Sequence, residues 1–311
     1  MPAVLAVDWG ATSVRVARVE LAADAPPVLE VVHRHPHEPV RDSDGTLRWD
    51  FDRLVNETVV GLGAALERGP AASIGVDTWG VDYGLLDGAG ELVAPPFSYR
   101  DDRTAGYSAV VDRISRDRLY EITGLQLLPF TTIFQLDAHD RAELTRAAHV
   151  VPLPDLVAHR LGGGPLTAEL TMAGTTGLLD ITTREWSDEL LDAIDVDRAL
   201  LPPVTLPGTV VGEFAGVPVR LVGGHDTASA VAAGGADDAA FVSAGTWLLV
   251  GAERDEPDLS DAARARNMTN ELAVDGRIRF LRNVSGWWLI EECLRAWGGP
   301  DLGELLTAAN Q

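Results

Sequence analysis

An apolar run at 4–7 and an alternating stretch at 13–19, with Val14, Val16, Ala17 and Val19 apolar, are separated by Asp8-Trp9-Gly10-Ala11-Thr12, and this pattern predicts two strands joined by a tight turn. A third apolar run at 28–33 extends the pair into an antiparallel meander. Leu54, Val55, Val59, Leu62 and Leu66 then recur at helical spacing over 51–66, and a Gly-Pro break leads into a strand at 73–77. Further helices are predicted at 104–120, 141–149, 155–161, 187–194 and 227–233, with loops at 162–165 and 201–208. Trp287 and Trp288 fall in an apolar, helix-like run and read as core. The alternation predicts an α/β domain with a mixed sheet. At Gly234-Gly235-Ala236-Asp237-Asp238 the chain turns small and acidic, which places a domain boundary between 1–236 and 237–311. Residues 4–12 and 240–248 echo one another as strand, small-residue turn and strand. The echo implies a duplicated architecture that grips one ligand between its two halves.

Composition narrows the chemistry. The 311 residues carry 25 Lys+Arg against 47 Asp+Glu, a net charge of −22 that repels nucleic acid and anionic membrane. There is no lysine, so Schiff-base chemistry and a P-loop lysine are excluded. The single Cys293 forms no intrachain disulfide and is expected to pack as a small apolar residue. The first apolar run stops at Asp8 without a basic leader, and no segment approaches the ~18 apolar residues of a membrane span. The expected compartment is the cytoplasm.

The richest stretch is Ser73-Ile74-Gly75-Val76-Asp77-Thr78-Trp79-Gly80-Val81-Asp82-Tyr83, where an apolar strand breaks at a glycine between two carboxylates and beside a Trp. Gly80 lets the backbone approach a ligand, Trp79 can stack on a sugar ring, and carboxylates such as Asp82 can accept its hydroxyl protons. The plainer reading is a strand whose aspartates satisfy a turn. Phosphoryl transfer needs N–H donors around phosphate, a metal, and a carboxylate to orient the acceptor hydroxyl. The Gly10-Ala11-Thr12-Ser13 turn supplies amides and hydroxyls, and Asp8 is placed to hold hydrated Mg²⁺; an Asx-turn closing a hairpin is the alternative. In Gly223-Gly224-His225-Asp226-Thr227, Asp226 sits at a strand-to-helix junction, suited either to accept a sugar proton or merely to cap the helix. His225 is a candidate substrate contact. Arg100 is a candidate for the cleft, whereas Asp102 and Arg103 read as an exposed helix start.

The segments VDWGATSVR, SIGVDTWGVDYGLLD, PPFSYRDDRT, GLQLLPFTTIFQL, LPDLVAHRL, GGHDTASAV, SAGTWLLVG and NELAVDGRIRFLRNVSGWWL occur in this order, and through them the chain resembles the FGGY family of carbohydrate kinases. The resemblance implies an RNase H-like, actin-like ATPase fold with one complete domain and part of a second, closing on ATP, Mg²⁺ and a sugar. It implies ATP-dependent phosphorylation of L-rhamnulose at the 1-hydroxyl; a fuculose- or xylulose-type ketose, or a sugar-binding remnant, are the alternatives. A chaperone-like or cytoskeletal ATPase ranks last. By resemblance, Asp226 is the proton acceptor, with Gly80, His225, Thr227 and Asn283 at the sugar. Ala11, Thr12, Ser13, Val14, Arg15, Thr246 and Glu291 are expected at ATP. Val14 stands where the family commonly has glycine, and Glu291 where glutamine is usual. Family members continue past the position of Gln311, so the chain is expected to be truncated relative to them.

Overall fold

The computed structural model describes residues 3–22, 25–234, 240–244, 247–299 and 301–309, without the side chains of Trp247, Ser285, Trp288, Glu291 and Leu302. The larger sheet is built from β1 (Ala3–Gly10), β2 (Ser13–Ala22), β3 (Ala25–Pro36), β4 (Ala71–Thr78), β5 (Val210–Phe214) and β6 (Val217–His225). Its order is β5-β6-β4-β1-β2-β3. The meander β1-β2-β3 is antiparallel, while β1, β4 and β6 run parallel at the centre. In β1, Ala3, Leu5, Val7 and Trp9 are all buried, so the intervening Asp8 emerges on the other face by the two-residue period of a strand.

Helix α1 (Phe51–Glu67) starts where Asp50 accepts the Arg53 amide and buries Phe51, Leu54, Val55 and Leu62; Val59, expected on that stripe, is exposed. Each such large side chain contributes about 1.5–3 kcal/mol on burial. Gly61 permits the close approach to β2, since a Cβ there would lie 2.5 Å from Val16. Helix α2 (Leu153–Gly162) packs on β4, β5 and β6, and α3 (Asp226–Gly234) leaves the end of β6.

A second sheet consists of β7 (Ala240–Ala244), β8 (Trp247–Arg254), β9 (Thr269–Leu272) and β10 (Ile278–Ser285), ordered β7-β8-β10-β9. Leu272 and Ile278 enter a core otherwise formed by residues 83–196, so this sheet is packed onto the first part of the chain. Among the described residues no helix is long and apolar enough to cross a membrane.

The helix expected at 104–120 is three short pieces, Asp102–Gly106, Ser108–Arg113 and Arg116–Thr123. Ile114 is extended, and Ser115 starts a new helix by accepting the Arg118 amide. Arg103 is not exposed: its side chain is 10% accessible, lies 4.0 Å over the Phe97 ring and donates to Gln135. The helix expected at 141–149 ends at Arg146, because His149–Pro152 pairs as a strand with Tyr83–Leu86. Helix Thr132–Asp137 was not expected. Of the tryptophans read as core, Trp287 is 40% exposed in helix α4 (Trp287–Ala296), and Trp288 lies outside the described side chains. Cys293 is exposed rather than packed.

Candidate active site

Strands β1, β4 and β6 end at one level, where open α/β sheets hold ligands. Register pairs Asp8 with Asp77, Trp9 with Thr78, and Thr78 with His225. A cleft of about 650 Å³ opens there, floored by Asp8, Asp77 and Asp226 and walled on one side by Tyr99, Leu125 and Phe130. The second sheet contributes Ser243, Ala244, Glu271 and Asn283 to the same cleft.

Asp226 begins α3. Its Oδ1 accepts the Thr227 amide at 2.6 Å and the Thr227 hydroxyl at 3.1 Å. The side chain remains 41% exposed, open to the cleft. Enclosure by the cleft walls pushes its pKa up to about 6, and the negative charge of Asp8 adds to the rise against the Thr227 hydrogen bonds. The carboxylate is therefore ionised at neutral pH yet basic enough to take a proton. His225 is largely enclosed and kept neutral, first by desolvation and then by the positive charge of Arg279. Gly80 packs against it: a Cβ there would meet His225 Nε2 at 3.4 Å.

Asp8 forms an ion pair with Arg15 at 2.8 Å, and burial still raises its pKa against the pull of Arg15 and Arg34. Asp77 is raised well above the usual range, by burial first and by Asp8 and Asp226 next. These oxygens suit a hard cation held partly through water. Among the described residues no three acidic, His or Cys groups are arranged to hold a metal directly.

Ala11, Thr12, Ser13 and Arg15 line the cleft at the β1-β2 turn, and Arg100 reaches its rim by donating to the Ala11 carbonyl at 3.4 Å. Val14 does not face the cleft: it is fully buried in the core, paired with Trp9 as regular strand. Thr246 lies outside the described residues, as does the side chain of Glu291. Thr227 and Asn283 both line the cleft, and the backbone N–H of Asn283 donates to Gln126 Oε1 at 3.2 Å.

Asp82 is the clear correction. It is 1% exposed, and its Oδ2 accepts Trp49 Nε1 (2.7 Å), Trp79 Nε1 (2.9 Å) and the Tyr99 amide (3.2 Å), while Gln135 donates to Oδ1 at 3.2 Å. With both oxygens engaged behind the cleft wall, it has no lone pair facing a sugar. Trp79 is also committed, 5% exposed and packed on Trp49 with ring centroids 4.4 Å apart. Between Gly80 and Asp82, Val81 has φ 69° and the Asp82 amide donates to the Gly80 carbonyl at 3.0 Å. This is the strained γ-turn with positive φ, costly for a β-branched residue. Thr132 and Gln135 hold its carbonyl at 2.6 and 3.2 Å.

Sequence reasoning did not single out Gln126, Glu271 or Arg279. Asp77 was visible as a carboxylate, and one signal aligned it with Asp8: Val7-Asp8-Trp9-Gly10 and Val76-Asp77-Thr78-Trp79-Gly80 are near repeats on neighbouring parallel strands.

The mixed sheet with its antiparallel meander, facing a second sheet across a cleft of carboxylates and the small-residue β1-β2 turn, defines an α/β protein of the RNase H-like, actin-like fold. The N-terminal domain model of the FGGY family of carbohydrate kinases matches residues 3–242 and the C-terminal domain model matches 240–311, so the chain belongs to that family. It is similar to the rhamnulokinase of Enterococcus faecalis, 39% identical over 305 residues that cover 94% of this chain and 61% of the relative. A rhamnulokinase of Pectobacterium carotovorum is 40% identical, over 98% of this chain and 64% of the relative. The chain thus spans less than two thirds of the length of these relatives. Xylulose kinase from Lactobacillus acidophilus has the same fold, with TM-score 0.79 at 17% identity, covering 95% of this chain and 62% of that one. So does Plasmodium falciparum glycerol kinase with ADP, with TM-score 0.78 at 14% identity, covering 98% and 65%.

Proposed function

We propose that the protein transfers the γ-phosphoryl group of ATP to the 1-hydroxyl of L-rhamnulose. The observation that carries this reading is Asp226: one carboxylate at the end of a central parallel strand, open to the cleft and raised to about 6 by its surroundings. The similarity to rhamnulokinases supports the choice of sugar.

In this mechanism the Asp226 carboxylate accepts the proton of the sugar 1-hydroxyl as that oxygen attacks the γ-phosphorus. The bond from phosphorus to the ADP oxygen breaks, and ADP carries away the electron pair. Thr227 fixes the rotamer of the base through its amide and hydroxyl. His225, Gly80 and Asn283 bound the sugar, while Ala11, Thr12, Ser13 and Arg15 face the phosphates. Asp8 and Asp77 would hold Mg²⁺ through water, and the ion would supply neutralisation of the charge developing on the phosphates. The sugar-binding unit is assigned to 1–236 and the start of the nucleotide unit to 237–311.

The test is ADP release by the purified protein with ATP, Mg²⁺ and each of L-rhamnulose, L-fuculose and D-xylulose. L-rhamnulose is expected to give the highest kcat/KM. A clear preference for another ketose, or sugar binding by calorimetry without any turnover, would overturn the assignment.

A further inference from the structure

Behind His225 lies a fully buried guanidinium. Arg279, on β10, donates Nε to the Leu272 carbonyl at 3.2 Å and pairs through Nη2 with Glu271 at 3.1 Å. The same Nη2 lies 3.2 Å from His225 Nδ1. A guanidinium carries only donors, so in this contact Nδ1 must accept. A neutral imidazole that accepts at Nδ1 bears its hydrogen on Nε2. The rival partner for an Nδ1 hydrogen, the Glu271 carboxylate, stands farther off at 3.7 Å and is already paired with Arg279. On its other side, His225 Nε2 lies 3.5 Å from Asp226 Oδ1 and borders the cleft beside Gly80.

We propose that Arg279 is a positioning residue that locks His225 in the Nε2–H tautomer, so that the cleft presents a hydrogen-bond donor beside the proton-accepting carboxylate of Asp226. This adjacent pair suits two oxygens on neighbouring carbons: a hydroxyl that gives its proton to Asp226 and an oxygen that accepts from His225. In a 2-ketose these are O1 and O2; the role of Asp226 and this identification of the oxygens rest on the proposed function, whereas the tautomer rests on the Arg279 contact alone. The arrangement also removes His225 as a competing base, because its bare nitrogen is turned away from the substrate. Without Arg279, Glu271 would be free to draw a hydrogen onto Nδ1.

The experiment is ¹⁵N NMR of the histidine side chains in the full chain, with His225 assigned through His225→Gln. Wild type is expected to show a bare, pyridine-like Nδ1 and a protonated Nε2. In Arg279→Met the Nδ1 signal should move to the protonated position, whereas Arg279→Lys, which keeps a cation there, should hold the wild-type pattern. A protonated Nδ1 in wild type, an unchanged spectrum in Arg279→Met, or a Lys variant that behaves like Met would each overturn the proposal. The wild-type spectrum decides the tautomer even if Arg279→Met does not fold. Adding L-rhamnulose should then shift the Nε2–H signal. If the tautomer is as stated but the sugar causes no shift, the substrate assignment fails rather than the lock.

Discussion

Asp82 and Asp226 follow the same kind of sequence, an apolar strand giving way to glycine and then an acid, and burial raises the pKa of both. Their surroundings then divide. Asp82 has donors on both oxygens from two indoles, an amide and a glutamine, and it fixes the shape of the cleft wall from behind. Asp226 has its Oδ1 held by one neighbouring residue and the rest of the carboxylate turned to open space. A saturated carboxylate is structural and a half-saturated one is available for chemistry. The number of donors around each acid, rather than the size of its pKa shift, separates the two roles.

The strongest test of that contrast is Asp226→Asn. Turnover should fall by about 10²–10⁴-fold, the usual worth of a general base, while sugar affinity by calorimetry stays within a few-fold. Turnover near the wild-type level would end the distinction. With Asp226 in place as the proposed base, kcat/KM should drop about tenfold per pH unit below about 6, as Asp226 takes up its proton.

Asp82→Ala should act on stability instead. It leaves the Trp49 and Trp79 indole N–H groups buried without an acceptor, and denaturant unfolding should show a loss of about 3–5 kcal/mol. Lost sugar binding with unchanged stability would return Asp82 to the substrate side.

Asp155 sharpens the picture as a third acid. It is 2% exposed and accepts from the Thr167 hydroxyl at 2.6 Å and the Glu169 amide at 2.9 Å, and burial pushes its pKa up to about 8. A raised carboxyl favours the folded state fully below its unfolded value of 3.8 and progressively less up to about 8. Between pH 5 and 8 its contribution should therefore fall by about 1.4 kcal/mol per pH unit, and denaturant titrations at several pH values should show Asp155→Asn flattening the pH dependence of stability by about that slope.

The smallest effect is expected for Val81→Gly. Glycine accepts φ 69° without strain, so the gain should offset the lost isopropyl group and leave Tm near wild type; Val81→Ala, which keeps the strain, should melt lower. Equal Tm losses in both would show that the γ-turn stores no strain.

Local pattern was enough for the meander β1-β2-β3, the helix from Phe51, the strand into Thr78 and the strand-to-helix junction at Asp226, because strand and helix periods are written in neighbouring residues. It failed where two local signals competed. Ser115 can lie within a helix or start one, and the extended Ile114 before it settled the matter; His149-Val150-Val151-Pro152 extends the apolar run of a helix yet finds a strand partner in Tyr83–Leu86. Tertiary structure alone assigned the acids and the indoles. Asp82 became structural because Trp49, 33 positions earlier, and Gln135, 53 positions later, deliver their N–H groups to it. Arg279 entered the site from 54 residues beyond His225. The sequence by itself determined which groups could ionise, donate or stack. Which of them meet, and so which are left free to react, depended on distances between segments far apart in the chain, and these exist only once the chain has packed: within its first part for Asp82, and between the two sheets for Arg279 and His225.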